Sequence, residues 1–186
     1  MSQDRDAQTF RAMVVPLIDD AYVFARYLTG NASDAEDLVQ DAFLRALEYF
    51  DSFRGGDPRP WLLTILRNCH RTALGRRGRR EMPFSAVDPD GASAVLEAGS
   101  LWSDGPDNPE ELLLSKSGAE RLERAIAELP EAFREAIVLR EIHELSYRDI
   151  AAVTSVPIGT VMSRLARARD LLRRSLLGRA EEKVQS

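Results

Sequence analysis

The chain has 186 residues, 44% of them hydrophobic and 30% charged, and a formal net charge of −5. That length accommodates one domain or two small ones, and the composition supports packed cores under charged surfaces. The single cysteine, Cys69, excludes an internal disulfide and a CxxC metal pattern. His70 and His143 are far apart and have no neighbouring ligand set, so no metal and no cofactor is expected. No Gly-rich phosphate loop appears, which argues against an enzyme. Met1 to Arg11 is polar and lacks a signal-peptide core. No apolar run approaches a membrane span. The expected location is cytoplasmic, with no direct membrane insertion.

Phe10, Met13, Val14, Leu17 and Ile18 make a first helical stripe, with Pro16 at a helix start or kink. Tyr22, Phe24, Ala25 and Leu28 continue the apolar pattern, and Gly30-Asn31 ends it. Ser33 is a natural cap, with Glu36 three residues on. Ala35, Leu38, Val39, Ala42, Phe43, Ala46, Leu47 and Phe50 then recur at steps of three and four, the mark of an amphipathic helix. Arg54 to Pro58 reads as a loop. Pro60 opens the next helix, with Trp61, Leu62, Ile65, Leu66 and Cys69 inside and the arginines outside. For Trp61 the spacing with Ile65 favours the core over a surface role.

From Glu81 to about Pro109 the chain holds Pro, Gly, Ser and acids without a sustained period, so a flexible linker is expected. Leu101 and Trp102 are isolated apolar residues within it. Leu122, Ala125, Ile126 and Leu129 form a further helix. Pro130 starts another, with Phe133, Ile137, Val138 and Leu139 apolar. Leu145 to Leu165 reads as a helix-turn-helix. Ser146 caps its first helix with Asp149 three residues on, Thr154 to Val156 make the turn, and Pro157 suits the start of the second helix. Val161, Leu165, Ala168 and Leu172 would face the core. Gly159, Thr160, Met162, Ser163, Ala166, Arg167 and Asp170 lie outside that stripe, and such an exposed helix can enter a major groove. The alternative for this segment alone is an ordinary helical hairpin with a solvated basic face. No β pattern competes anywhere. The expected fold is all-α: two small helical domains joined by a flexible linker, the second containing a helix-turn-helix. The boundaries are 8–80, 81–109 and 110–177.

The net charge hides a segregation. Between Pro58 and Arg80 there is no Asp or Glu, while Arg59, Arg67, Arg71, Arg76, Arg77, Arg79 and Arg80 fall there. Arg164, Arg167, Arg169, Arg173 and Arg174 form a second basic run, with only Asp170 against it. Nucleic acid responds to the local field of a patch, so two basic elements suggest two contacts on one nucleic acid.

Both blocks resemble the extracytoplasmic-function group of bacterial sigma factors. The resemblance rests on residues 34–46 (DAEDLVQDAFLRA) and 59–68 (RPWLLTILRN), then on 129–140 (LPEAFREAIVLR) and the helix-turn-helix. It implies a protein that binds core RNA polymerase and directs promoter-specific initiation, in a stress or envelope response, with an anti-sigma factor as a further partner. The first block would bind and help open the minus-ten element of promoter DNA. The second would read the minus-thirty-five element as duplex, about two DNA turns (about 70 Å) away. On this resemblance the polymerase-binding residues are Asp37, Gln40, Asp41, Leu44 and Glu48, opposite the apolar stripe of their helix. The minus-ten residues are Arg54, in the base-capture loop Phe53–Asp57, with Arg67, Asn68, Arg71, Arg76 and Arg77. The minus-thirty-five residues are Thr160, Met162, Ser163, Ala166 and Arg167. Ile158 and Met162 depart from the acidic and basic residues common there, and Ala166 could accept a thymine methyl. A stand-alone helix-turn-helix regulator would leave the first block unexplained, and a sigma-like decoy for an anti-sigma factor should lose the basic faces that this chain keeps. The two blocks are expected to move independently in the free protein. The acidic linker offers an alternative, a fold-back onto the basic faces.

Overall fold

The structure, a computed structural model, describes residues 2–78 and 116–184, with side chains from 8 to 75 and from 118 to 177. The expected linker 81–109 lies outside the described residues, as do the side chains of Arg76 and Arg77. Among the described residues every regular element is a helix: α1 (Ser2–Met13), α2 (Ile18–Thr29), α3 (Ala32–Glu48), α4 (Pro58–Gly78), α5 (Lys116–Ala127), α6 (Glu131–Glu141), α7 (Tyr147–Thr154) and α8 (Ile158–Val184). Short 3-10 turns cover Val15–Leu17 and Phe50–Ser52. No described helix is long and apolar enough to cross a membrane.

Local chemistry sets the helix boundaries. Pro16 sits in the 3-10 turn after α1, where its missing N–H and fixed φ interrupt a helix. The break resets the helical phase. Val14 is buried as expected, whereas Ile18 is turned out to solvent. Gly30 closes α2 at φ 79°, a left-handed geometry that favours glycine. The cap of α3 is Asn31, two residues before the expected Ser33. Its Oδ1 accepts from the Asp34 N–H at 2.8 Å, and its Nδ2 donates to Asp34 Oδ2 at 2.9 Å. Helix α4 begins at Pro58, earlier than the expected Pro60, with Asp57 Oδ1 accepting from the Arg59 N–H at 2.9 Å. Ser146 caps α7 as its sequence requires: its Oγ accepts from the Asp149 N–H at 3.2 Å.

Helices α2, α3 and α4 pack on one another, and α5 to α8 do the same. The two blocks also touch each other. Helix α4 also packs on α7, and α2 on α6. One apolar cluster runs through both blocks, from Val14, Phe24 and Leu66 to Val138, Ile150 and Leu165. The cause lies in α4, which has a second buried side. Leu62, Leu66 and Cys69 are buried as predicted, but so are Leu63, Arg67 and His70. Those three recur at steps of four and three and therefore share a face. Trp61 and Ile65, expected inside, are only half-buried.

Candidate nucleic-acid and polymerase interfaces

Helix α3 turns Ala35, Leu38, Val39, Ala42 and Ala46 inward. Asp37, Gln40, Asp41, Leu44 and Glu48 all lie on its exposed side. Leu44 is 63% exposed. Leu47, which the periodicity had placed inside, is 50% exposed and extends the same face one turn beyond Leu44, and Tyr49 follows it to the surface. An exposed strip of leucines framed by acids can bury apolar area against a protein partner, and its charge would repel a phosphate backbone. A cleft of about 260 Å³ opens next to this face. Asp37, Asp41, His70, Leu74, Glu131 and Arg134 line it, so both blocks contribute to its wall.

The loop before α4 stands on an aromatic platform. Phe53 lies 5.2 Å from Trp61 and 6.0 Å from Phe50 between ring centroids, and Phe50 meets Phe10 edge-on at 5.3 Å. Trp61 thus packs partly inside, beneath Phe53. Gly55 and Gly56 carry the loop at φ 88° and 90°, a conformation that would strain any side chain, and no atom lies within 4 Å of where a Cβ would stand on either. Arg54 is exposed on that loop, and Asn68 and Arg71 are exposed on α4.

Arg67 is different. It was expected on the exposed basic face of α4, and the structure corrects this. The side chain is buried, and its Nε donates to Glu135 Oε1 and Oε2 of α6 at 2.9 and 3.0 Å. Glu135 is 2% exposed. Burial pushes its carboxyl up, against the pull of Arg67. Close by, His70 Nδ1 is 4.0 Å from Glu131 Oε1. His143, in the turn between α6 and α7, packs edge-on to Phe24 of α2 at 5.8 Å. Neither of its ring nitrogens has a hydrogen-bond partner. Burial holds this imidazole below its ordinary value, with Asp20 acting upward and Arg59 downward.

The second helix of the helix-turn-helix behaves as its stripe predicts. Val161, Leu165 and Ala168 are buried and Leu172 packs on them. Ser155 makes the turn at φ 56°. Met162, Ser163 and Arg167 are exposed, and Thr160 and Ala166 half-buried at the rim of the same face. Farther along, the basic run is partly neutralised. Arg169 bonds Glu141 at 2.8 Å, and Arg173 and Arg174 both pair with Asp170, at 2.9 and 2.7 Å. Arg164 and Arg167 precede those pairs along α8, in the part of the helix where a recognition helix meets base edges. Among the described residues no group of three or more His, Cys, Asp or Glu is placed to hold a metal ion.

Comparison with known proteins gives two family matches in order along the chain: Sigma-70 region 2 over residues 13–80 and Sigma-70, region 4 over residues 119–172. Over 172 residues the chain is 39% identical to the ECF RNA polymerase sigma-E factor of Escherichia coli (strain K12), covering 91% of this chain and 87% of that protein. It is 37% identical over 169 residues to the ECF RNA polymerase sigma factor SigE of Mycolicibacterium smegmatis, covering 90% of this chain and 62% of the relative. Among solved structures it resembles the sigma factor RpoE of Bartonella quintana, crystallised in complex with the anti-sigma factor NepR. The TM-score is 0.67 at 30% identity, covering 91% of this chain and 97% of that one.

Proposed function

The chain belongs to the extracytoplasmic-function group of RNA polymerase sigma factors, and we propose a division of that group's work among its surfaces. As a sigma factor it binds core RNA polymerase and promoter DNA and directs promoter-specific transcription initiation. In our reading, the block 8–80 grips polymerase through Asp37, Gln40, Asp41, Leu44 and Glu48, with Leu47 added to that set. The same block holds the opened minus-ten strand with Arg54, Asn68, Arg71, Arg76 and Arg77, and with Arg67 once it is released. The block 110–177 reads the minus-thirty-five duplex with Thr160, Met162, Ser163, Ala166 and Arg167. The segment 81–109 joins them.

One observation carries this division. Two faces stay outside the core, an acidic face with leucines on α3 and a basic face on α8, and their charges suit a protein and a nucleic acid respectively. We further read the chain as a cytoplasmic protein without catalysis of its own, serving a stress or envelope response. A solved relative bound to an anti-sigma factor supports an anti-sigma partner here as well.

The test is transcription from genomic DNA by core polymerase with and without the purified chain. Defined start sites should appear only with the chain. The double change Asp41→Arg with Leu44→Ala should abolish them and weaken core binding by roughly tenfold or more, with folding stability shifted by only about 0.5 kcal/mol per site. Unchanged affinity for core would remove α3 from the interface.

A further inference from the structure

We propose that Ile158 and Met162 form an apolar ridge on α8 that reads the 5-methyl groups of pyrimidines in the upstream duplex, so that this stretch of the element is recognised by methyl contact instead of hydrogen bonding. The inference rests on the assignment of α8 to the minus-thirty-five duplex and adds the chemistry of what the helix reads there.

Three observations carry it. First, Ile158 is 42% exposed and Met162 47% exposed. They stand one turn apart and share a face, and half-buried Ala166 follows Met162 by a further turn. A lone exposed apolar residue needs no explanation. Two adjoining ones, on a face flanked by Arg164 and Arg167, gain by being covered. Second, the side chains beside the ridge have little to donate. Ser163 Oγ donates to the Thr160 carbonyl at 3.0 Å, so its proton is spent inside the helix. Thr160 is half-buried, and Arg167 lies more than a turn beyond Met162. The first turns of α8 therefore meet a groove floor mainly with carbon. In the major groove the feature that carbon recognises is the methyl of thymine, because the other base-edge groups there are hydrogen-bond donors and acceptors. An apolar side chain would leave those unsatisfied.

Third, Gly159 lies beside the ridge without a need of the fold for glycine. It is not among the glycines with positive φ, and no atom lies within 4 Å of where its Cβ would stand. A bare backbone at that point lets an outside surface approach closely, which brings the short Ile158 side chain within reach of a groove floor. The spacing then limits what is read. Ile158 and Met162 are about 6 Å apart along the helix, close to two base-pair steps of about 3.4 Å. The ridge spans two methyl groups on adjacent or next-but-one base pairs. Because the contact is to a methyl, 5-methylcytosine presents the same group as thymine.

The experiment uses the chain assembled with core polymerase. Promoter-length duplexes from a start site that appears only with the chain are randomised over the upstream element and selected for binding, and the enriched duplex is the probe. Each thymine of its upstream element is replaced singly by deoxyuridine, which removes the methyl and keeps every hydrogen-bonding group. One or two replacements should weaken binding by about fourfold each, the worth of one buried methyl. In Ile158→Ala or Met162→Ala the replacement facing the lost side chain should no longer matter, whereas Arg167→Ala should leave it as costly as before. At the same sites 5-methylcytosine should bind about fourfold more tightly than cytosine. If every deoxyuridine duplex binds like its parent, methyl reading is overturned, and a loss of binding in Arg167→Ala would still keep α8 on the duplex. A methyl effect that survives in both Ile158→Ala and Met162→Ala overturns the ridge. Selection that enriches no upstream sequence overturns the assignment of α8, and the ridge with it.

Discussion

Helix α8 is apolar on one side only, so Met162, Ser163 and Arg167 are left to solvent. Helix α4 is covered on two sides, by the first block through Leu62 and Leu66 and by the second through Arg67. Both helices look alike in composition, each a run of arginines over an apolar stripe. What separates them is a second buried side on α4, where Leu63, Arg67 and His70 lie and Glu135 of a third helix meets the arginine. Glu135 converts one arginine of α4 from a surface cation into part of a core, while the arginines at the far end of α8 find only exposed partners, Glu141 and Asp170. Exposed pairs of that kind contribute about 0–1 kcal/mol each. They leave the recognition end of α8 unaltered.

Removing one member of the buried pair should give the largest effect. Glu135→Ala leaves the Arg67 guanidinium without its counter-ion, which costs about 3–5 kcal/mol as long as the side chain stays in the interior. The double change Arg67→Met with Glu135→Leu removes both charges and should be near neutral. Urea denaturation of the three chains checks this. Equal stability of wild type and Glu135→Ala would mean that Arg67 is solvated and that α4 and α8 do not differ.

On the open side of the comparison, Arg167→Ala should weaken upstream duplex binding by about 1–3 kcal/mol if the side chain reads a base. If it meets only phosphate, the loss should be similar for every sequence, with a salt slope smaller by about one. Folding stability should change by no more than about 0.5 kcal/mol. Wild-type binding by a folded variant would take α8's exposed face out of recognition.

The third effect is smaller and depends on pH. His143 faces Asp20 and Phe24 of α2 and Arg59 of α4. Burial depresses its pKa from the ordinary 6.5. A depressed value means that the folded form prefers the neutral ring. The stabilisation is complete above pH 6.5 and is lost as pH falls through the depressed value, with a slope of no more than about 1.4 kcal/mol per pH unit. Glu135, facing Arg67, Arg71 and Glu131, is raised above its ordinary 4.5 and acts in the opposite sense, favouring the folded form in acid. The difference between wild type and His143→Phe isolates the histidine contribution. Denaturation midpoints of the two chains should diverge between pH 7.5 and 5.5, with wild type falling more. Parallel curves would place His143 in water.

The strongly periodic elements were legible in the sequence. Ala35 to Ala46 and Val161 to Leu172 have one apolar face each, and their buried residues are those the spacing selects. The errors share a physical origin in interactions that periodicity does not encode. Pro16 shifted the phase at Ile18. Asn31 outcompeted Ser33 as a cap because its amide both accepts from and donates to Asp34. Leu47 followed the apolar spacing yet faces out, and its exposure is what extends the polymerase face. For Arg67 it was the burial that went unread, since an arginine within a basic run reads as exposed. A signal was present in the partner helix. Ala136, Ile137, Val138 and Leu139 are four consecutive apolar residues, which draw the neighbouring Glu135 toward a core where its carboxyl needs a polar partner.

The most direct measurement is site-resolved modification of arginines in the free, full-length chain with a dicarbonyl reagent, read by mass spectrometry. Arg71 and Arg167, both exposed, should react readily, while Arg67 should remain unmodified in the wild type and become reactive in Glu135→Ala. Reaction of Arg67 at the rate of Arg71 in the wild-type chain would contradict the buried pair and the difference between the two helices.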